Sequence, residues 1–398
     1  MIILTEWIFW FSAAAILYTF FGYPLLLLAV APFRRRTVPD PAERPSVSVL
    51  IAAYNEQASI RRKVEETLAQ KYPAGKLEVL VVSDGSTDGT DEIVKQIDDP
   101  RVRLLRVTGR RGKTYAQNEG VRECRGEIIV FSDATTVYHP ESLHFLTSRY
   151  QDPSVGAVSG RYKYFDASGV SPTGLGSIAF WNYENLIKKL QSDIYSLTGC
   201  SGCIYSLRKS LYTPLPAAML SDMVEPLCVL AQGYRIHFED RAYAYEETTE
   251  TSTQEFRMRV RIVTRGLSAV AYMSDLLKFW KHRWISFQLL SHKVLRWFVW
   301  LFLLGMFFSN LALLDQPLYR ITFLLQCAFY VMAALSPVLR FHTLWKPLGI
   351  PLYFCTLHSA AMLGVYEFAR GKRYVVWETV RPEDRATATK IGGGAQNL

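Results

Sequence analysis

The sequence predicts an α/β fold with a mostly parallel sheet, on the basis of two observations. Four short apolar runs are rich in β-branched residues and have the length of strands. Segments with the apolar spacing of helices lie between them, as in Ile60–Leu68. Strands that alternate with helices form a parallel sheet that is covered on both faces. The predicted strands are Val47–Ala52, Val79–Ser83, Val102–Val107 and Ile128–Ser132.

Polar side chains follow three of these strands directly. Tyr54 and Glu56 come after the first strand, Asp84 after the second and Asp133 after the fourth. The carboxyl ends of neighbouring parallel strands meet at one edge of the sheet, where open α/β sheets bind their ligands. We therefore expect a nucleotide-binding site at this edge.

The chain has 398 residues and a formal net charge of +9. Trp7–Ala31 contains no charged residue and is long enough to cross a bilayer. A signal peptide fits less well, because the apolar run is too long and no positively charged region precedes it. We expect a membrane anchor over residues 1–36, with Arg34–Arg36 on the cytoplasmic side. The positive charge then favours contact with anionic lipid or a phosphorylated substrate over nucleic acid.

The α/β region extends beyond the four strands, and we assign it to residues 46–274. A linker with three prolines, Thr37–Pro45, connects it to the anchor. Further strands are predicted at Val155–Ser159, Arg161–Phe165 and Arg235–Glu246, and further helices at Ala179–Gln191, Leu220–Gln232 and Gln254–Gly266.

The C-terminal part of the chain returns to the membrane. Residues 275–296 mix aromatic residues with Lys and Arg, as amphipathic helices in a membrane interface do. Three apolar runs predict transmembrane helices within residues 297–369, of which the last is the weakest, and residues 370–398 form a tail. Three crossings place the basic tail outside, against the positive-inside tendency. Either one run is re-entrant or interfacial, or the tail is an exception.

Several short motifs follow one another along the chain: Val47–Glu56, Val82–Asp88, Gly112–Asn118, Phe131–Thr135, Gly199–Gly202, Ser221–Asp222 and Glu255–Ile262. In their order and spacing they resemble those of the family 2 glycosyltransferases. The resemblance covers roughly Ser46–Gly266, and the flanking apolar segments suit the integral-membrane members of that family. It implies a GT-A type fold and inverting transfer from a nucleoside diphosphate-sugar, with a UDP-linked donor expected.

The resemblance assigns donor binding to residues at the sheet edge. It implies that Asp84 accepts hydrogen bonds from the nucleotide base and that Lys113 lies near the donor, with Tyr54 and Glu56 in the same set. Asp84 could instead cap a helix or turn, and Lys113 could be a solvated lysine.

The resemblance also implies a divalent cation, Mg²⁺ or Mn²⁺, that bridges the donor diphosphate. The family carries an Asp-x-Asp motif here, whereas this chain has Asp133 followed by Thr135. One charged ligand is therefore missing. A hydroxyl and water can complete a magnesium shell, because Mg²⁺ commonly keeps several waters. We expect Asp133 and Thr135 to form the metal site, and Asp133 also to contact substrate.

Transfer requires a base that removes the proton of the acceptor hydroxyl. By resemblance this base is Asp222, with Glu225 one turn later as the fallback, while a simple N-cap role for Asp222 is the structural alternative. Arg257 and Arg261 are expected to bind substrate, or alternatively to form a solvated face near lipid headgroups. The Trp of the Gln-x-x-Arg-Trp signature of processive members is absent after Arg257 and Arg261.

We expect an integral protein of the plasma (inner) membrane with a cytoplasmic catalytic domain. It would transfer a sugar to a hydroxyl of a lipid-linked or polysaccharide acceptor, in contact with membrane lipids. A processive exopolysaccharide synthase is the alternative within the class, although the missing Trp argues against it. Outside the class, Thr135 suggests a membrane scaffold with an inactive nucleotide-binding domain, and a nucleotidyltransferase is a more distant alternative.

Overall fold

The computed structural model of the chain describes residues 2–33, 43–165, 174–247, 252–339 and 346–375. The arginine cluster Arg34–Arg36, residues 37–42 of the predicted linker and the tail from residue 376 lie outside these ranges.

A single sheet of eight strands forms the centre of the molecule, in the order β3-β2-β1-β4-β7-β6-β8-β5. β1 is parallel to β2 and β4, β2 to β3, and β6 to β8, whereas β7 is antiparallel to both neighbours. The prediction of a mostly parallel sheet is confirmed. The strands are β1 (Val47–Ala53), β2 (Leu77–Ser83), β3 (Val102–Arg106), β4 (Ile128–Asp133), β5 (Val137–Tyr138), β6 (Val155–Phe165), β7 (Ile204–Arg208) and β8 (Arg235–Glu247).

Both faces of the sheet are covered, and β1 shows why. All seven of its residues are buried, and successive side chains of a strand point to opposite faces. Leu50 and Ala52 therefore belong to one hydrophobic core, and Val49 and Ile51 to a second core on the other face. A continuous apolar run of strand length is the sequence pattern of such a doubly covered strand.

Helices pack on both faces of the sheet and continue into the apolar segments at the two ends of the chain. Segments with π-helical hydrogen bonding join α1 to α2 and α10 to α11. The helices are α1 (Ile2–Leu17), α2 (Tyr23–Val30), α3 (Ile60–Leu68), α4 (Thr90–Lys95), α5 (Lys113–Glu123), α6 (Ser142–Thr147), α7 (Gly174–Ile194), α8 (Ser221–Ala231), α9 (Ser252–Tyr272), α10 (Phe279–Gln288), α11 (Leu295–Trp297), α12 (Val299–Ala312), α13 (Pro317–Leu339) and α14 (Ile350–Ala369).

Two predicted elements differ from the structure. The two strands predicted on either side of Gly160 are one strand, β6, whose register against β8 shifts between Ser159 and Arg161. A Cβ on Gly160 would lie 2.7 Å from the carbonyl oxygen of Ala242, so this glycine allows the irregularity within a continuous strand. The basic amphipathic segment is also not one helix, because non-helical backbone angles at Arg283 interrupt α10.

Two described segments, Ile2–Phe33 and Pro317–Leu339, are long and apolar enough to span a membrane. A third span results if Phe279–Trp297 and Val299–Ala312, which are bent by 56° relative to each other, are counted as one. The bend lies next to the predicted boundary between interface and membrane segments. α14, the weakest predicted span, is not in this set and packs along α9, where a Cβ on Gly364 would lie 3.0 Å from Val260 O.

Candidate functional site

The sheet register brings the polar strand ends together, as the sequence predicts. Ala52 of β1 pairs with Asp133 of β4, and the next residue, Ala53, pairs with Ser83 of β2. Tyr54 and Asp84 therefore lie directly beyond the same edge. The guanidinium of Arg110 stacks 4.1 Å from the centre of the Tyr54 ring, which adds a cation to this edge.

Glu56 is buried and organises the turn between β1 and α3. Its carboxylate accepts a hydrogen bond from Ser59 Oγ at 2.5 Å, and its backbone N–H donates to Thr90 Oγ1 at 2.7 Å. The Glu56 carbonyl oxygen accepts the N–H groups of Ser59 and Ile60 at the start of α3. The predicted contact between Glu56 and substrate stays a prediction.

Asp84 fixes the loop that leads into α5. Its two carboxylate oxygens accept the backbone N–H groups of Arg111 and Gly112, each at 2.8 Å. Burial raises the pKa of Asp84, and the two N–H groups offset part of that effect. Asp84 does not cap α4, because Asp88 accepts the Thr90 N–H at the start of that helix. Asp84 does cap the loop before α5, as the turn alternative expects. Its proposed contact with a nucleotide base stays a prediction.

Lys113 and Asp133 form an ion pair between Nζ and Oδ1 at the edge of the sheet. Lys113 is the first residue of α5, and its side chain is only 23% exposed, so it is not a solvated lysine. Burial lowers the pKa of Lys113, but the Asp133 carboxylate outweighs burial and the pKa is raised. The site thus contains one cation and one carboxylate in direct contact, each of which could bind a charged ligand.

Thr135 lies two residues after Asp133 with a half-buried side chain. Its hydroxyl makes no hydrogen bond within the described part of the chain, so it can accept a ligand. Within the same residues, no group of three or more His, Cys, Asp and Glu side chains could hold a metal ion. A cation here therefore needs oxygens from water or from a bound ligand.

Asp222 is the second residue of α8, whose N-cap is Leu220, so the simple N-cap alternative is wrong. Its Oδ1 is buried and has no hydrogen-bond partner among the residues that the structure describes. Burial raises the pKa of Asp222, and the cations Lys113 and Arg265 offset part of that effect. A carboxylate with one unpartnered oxygen and a raised pKa can accept a proton from a bound hydroxyl.

Gly202 makes room for this carboxylate. A Cβ at residue 202 would lie 2.4 Å from Asp222 Oδ2, closer than any side chain could stay. The backbone N–H of Cys200 also donates to the Asp222 carbonyl oxygen at 2.9 Å. The Gly199–Gly202 loop therefore packs directly on the start of α8.

Glu225 belongs to the core below Asp222. Its Oε2 accepts a hydrogen bond from the Tyr205 hydroxyl at 2.7 Å, and its side chain is almost completely buried. Burial, reinforced by the Asp222 charge, raises the pKa of Glu225 to about 8. Glu225 is therefore mostly protonated at neutral pH, which makes it a poorer base than Asp222.

Three arginines of α9 are spaced four residues apart and therefore lie along one side of the helix. Arg257 is exposed and Arg261 half-buried, whereas Arg265, one turn further, donates to the Met219 carbonyl oxygen at 2.5 Å. The positive charge of Arg265 lowers the pKa of Asp222 and so offsets part of the effect of burial. Arg265 is therefore a site residue that was not predicted from the sequence. The four-residue spacing from Arg257 through Arg261 to Arg265 is the signal that could have found it.

Lys188 of α7 was also missed. It is 5% exposed, and its Nζ donates to the Ser201 hydroxyl at 2.9 Å, within the loop that contacts Asp222. Burial lowers the pKa of Lys188 to about 8, and the Asp222 carboxylate partly opposes this. No motif marks this lysine, because only the packing of α7 brings it to the site.

Ion pairs join the α/β domain to the segment that precedes α12. Glu184 of α7 pairs with Arg296, with His292 Nε2 at 3.2 Å and with Lys293 Nζ at 3.7 Å. Burial raises the pKa of Glu184, but the Arg296 charge, the His292 ring and the Lys293 charge reverse the effect and hold this pKa well below its usual value. The helix that carries Lys188 is therefore fixed to the membrane-proximal segment.

Comparison with known proteins places this geometry in context. The model of the family described as "Glycosyl transferase family 2" matches residues 48–213. "Probable glycosyltransferase YdaM" of Bacillus subtilis (strain 168) is 27% identical over 229 residues, 55% of this chain and 54% of that protein. "Poly-beta-1,6-N-acetyl-D-glucosamine synthase" of Staphylococcus aureus (strain COL) is 27% identical over 233 residues, 56% of this chain and 55% of that protein. The chain thus matches about half the length of these relatives.

One solved structure is similar over almost the whole chain. It is "Mannosyltransferase PcManGT from Pyrobaculum calidifontis in complex with GDP-Man and Mn2+", with 22% identity and a TM-score of 0.69. The match covers 92% of this chain and 99% of that one. At this identity the likeness concerns the fold, and it supports the GT-A type predicted from the motifs.

Proposed function

Because residues 48–213 form a family 2 glycosyltransferase domain, we propose that the chain is an inverting glycosyltransferase of the membrane. It moves a sugar from a nucleoside diphosphate-sugar to a hydroxyl of a lipid-linked or polysaccharide acceptor. The new bond joins the acceptor oxygen to the anomeric carbon, and the bond from that carbon to the diphosphate breaks. The acceptor proton goes to a carboxylate of the protein, and the nucleoside diphosphate leaves.

One observation carries this proposal. Asp222 has a buried carboxylate oxygen with no partner among the described residues, and its charge interacts with those of the Lys113–Asp133 pair. Lys113 can release Asp133 and donate to a phosphate oxygen as charge develops there. Asp222 accepts the acceptor proton, and its raised pKa improves it as a base. The positive charge of Lys113 thus serves the leaving diphosphate, and the negative charge of Asp222 serves the acceptor hydroxyl.

The donor side is assigned to the edge of the sheet. Asp84 holds the loop that ends at Gly112, so that Lys113 begins α5 in a fixed position. Tyr54 and the guanidinium of Arg110 add a stacked surface next to this loop. We infer that the nucleotide base and ribose bind between these groups, as the family resemblance implies for Asp84.

The available oxygens fit a divalent cation, Mg²⁺ or Mn²⁺, in a mixed site. The Asp133 carboxylate and the Thr135 hydroxyl would hold the cation, and oxygens of the donor diphosphate and water would supply the remaining ligands. A bound cation would neutralise negative charge on the leaving diphosphate. The protein residues orient that diphosphate, and Lys113 adds the second positive charge.

The membrane segments support an acceptor at the membrane. We propose that the α/β domain faces the cytoplasm of a plasma (inner) membrane, because Arg34–Arg36 follows the first apolar segment. α7, whose Lys188 reaches the Asp222 loop, is also paired through Glu184 with the segment before α12. An acceptor that leaves the bilayer beside α7 would approach the loop that contacts Asp222.

Product length tests the proposal and separates it from a processive synthase, which the staphylococcal relative favours as a second candidate. Purified full-length chain in nanodiscs is incubated with radiolabelled UDP- and GDP-sugars and membrane lipid extract. Single transfer gives one sugar per acceptor, whereas a synthase gives a polymer ladder. Donor binding without any turnover or donor hydrolysis would contradict both and support an inactive scaffold.

We expect Gly202→Ala to reduce transfer about a hundredfold, because a misplacement of about 1 Å at a catalytic group can cost that much. The added Cβ would contact Asp222 Oδ2 and displace the carboxylate. The measurement is kcat with saturating donor, together with thermal unfolding to show that the fold is kept. Gly75→Ala is the matched control, since a Cβ at that residue meets nothing within 4 Å. Equal activity of the two variants would contradict the assigned position of the base.

A further inference from the structure

A cavity of about 500 Å³ lies between four helices, at the end of the N-terminal apolar segment. Val30 comes from the last turn of α2, and Ile194 and Leu230 come from the last turns of α7 and α8. Lys281, Arg283 and Trp284 of α10 complete the wall. A volume of about 300–1,000 Å³ is typical of small-molecule sites, and the proposed reaction uses none of these residues.

The surroundings place this cavity at a membrane surface. Phe279 and Trp280 begin α10 and are 55% and 79% exposed, although both are aromatic. Exposed aromatic residues next to lysine and arginine are typical of helices that lie at the lipid headgroups. Val30 lies within the Ile2–Phe33 segment, three residues before its last residue. The cavity therefore lies where this segment leaves the bilayer.

The rim of the cavity is positively charged. Lys281 and His282 line the cavity, and both contact the carboxylate of Asp275. Lys278 pairs with the same carboxylate but lies outside the cavity. One carboxylate thus serves two lysines and a histidine. Arg283 has no ion pair or hydrogen bond within the described ranges, so its charge is not balanced there.

Two further features mark this part of the rim. Within the described residues, the buried Trp284 indole N–H has no hydrogen-bond partner, which is uncommon for a buried polar group and indicates a missing acceptor. The backbone of Arg283 has φ 29° and ψ −92°, a strained conformation for a residue with a side chain. Arg283 and Trp284 are neighbours, so their free donors belong to the same part of the rim.

We propose that this cavity binds one anionic glycerophospholipid. The phosphate accepts hydrogen bonds from Arg283 and from the Trp284 indole, and Lys281 adds positive charge. The first part of the acyl chains lies along the apolar wall of Val30, Ile194 and Leu230. The rest of each chain extends into the bilayer.

This lipid is distinct from the glycosyl acceptor. Asp222 lies near the start of α8, and the cavity contacts the other end of the same helix. Nine residues of α-helix separate Asp222 from Ala231, which corresponds to about 13 Å at 1.5 Å per residue. A phosphate at Arg283 is therefore too far away to take part in sugar transfer, and the site is a structural lipid site.

Binding of short-chain lipids to the full-length chain in neutral detergent tests the proposal without reference to activity. Isothermal titration calorimetry is performed with dioctanoyl phosphatidylglycerol, dioctanoyl phosphatidylcholine and inorganic phosphate. We expect one saturable equivalent of phosphatidylglycerol and at least tenfold weaker binding of phosphatidylcholine. Millimolar phosphate should not displace the lipid, because it lacks the acyl contacts.

Variants distinguish a built site from diffuse surface charge. Arg283→Gln should weaken phosphatidylglycerol binding at least tenfold, Trp284→Phe a few-fold, and Arg283→Lys less than Arg283→Gln. Lys278→Gln is the matched control, because this lysine lies on the same surface outside the cavity. Equal effects of Lys278→Gln and Arg283→Gln would overturn the proposal in favour of surface charge. Displacement by phosphate alone would overturn the proposal in favour of a site for free anions. Equal binding of phosphatidylcholine would overturn it by showing that the site does not select an anionic lipid.

Discussion

Asp222→Asn should reduce sugar transfer by about 100- to 10,000-fold, the range that positioned acid–base groups contribute. Asparagine keeps the size of the side chain and fits against Gly202, but it cannot accept the acceptor proton. Donor binding should change little, because Asp222 lies outside the loop that Asp84 organises. The measurement is kcat with a labelled nucleotide-sugar in nanodiscs, combined with calorimetric titration of the nucleoside diphosphate.

Glu225→Gln is the control for this prediction. Glu225 is mostly protonated at neutral pH, because burial, reinforced by the Asp222 charge, raises its pKa to about 8. Glutamine therefore resembles the protonated Glu225 side chain, and its amide oxygen can still accept the hydrogen bond from the Tyr205 hydroxyl. We expect activity within a few-fold of the unmodified chain. A loss as large as that of Asp222→Asn would instead assign the base to Glu225.

The residues at the sheet edge could be predicted because short local rules determine their place. Parallel strands end together, so Asp84 and Asp133 were expected at the same edge of the sheet once the strands were recognised. The register of β1 with β2 and β4 confirms this expectation. The resemblance placed Lys113 near the donor, but only the structure shows its ion pair with Asp133 at the start of α5.

The acceptor side could be predicted only in part, because long-range packing forms it. Lys188 lies on a helix that was predicted, yet nothing local distinguishes it from a solvated lysine. Arg265 continues the basic spacing of α9, but only the structure shows that it reaches the residues around Asp222. The interruption of α10 at Arg283 also has no signal in the sequence, since arginine rarely adopts positive φ.

The second large effect concerns the cation. Asp133→Ala should abolish transfer, because it removes the only carboxylate of the proposed metal site. Thr135→Asp should tighten binding of Mg²⁺ or Mn²⁺ to the nucleotide-free chain by about tenfold, since ligand charge sets the affinity of such sites. The unmodified chain should bind the cation weakly alone and well only with nucleoside diphosphate. Calorimetric titration of metal, with and without the diphosphate, measures each case.

The ion pair explains why the free chain should bind metal weakly. In the absence of a donor, Lys113 occupies the Asp133 carboxylate, and a cation must displace it. Lys113→Met should therefore tighten metal binding to the nucleotide-free chain, while it weakens nucleoside diphosphate binding through the loss of a positive charge. Opposite shifts of these two affinities would not follow from a damaged fold, which lowers both. Tight metal binding to the unmodified free chain, or full activity in excess chelator, would place the cation away from Asp133 and Thr135.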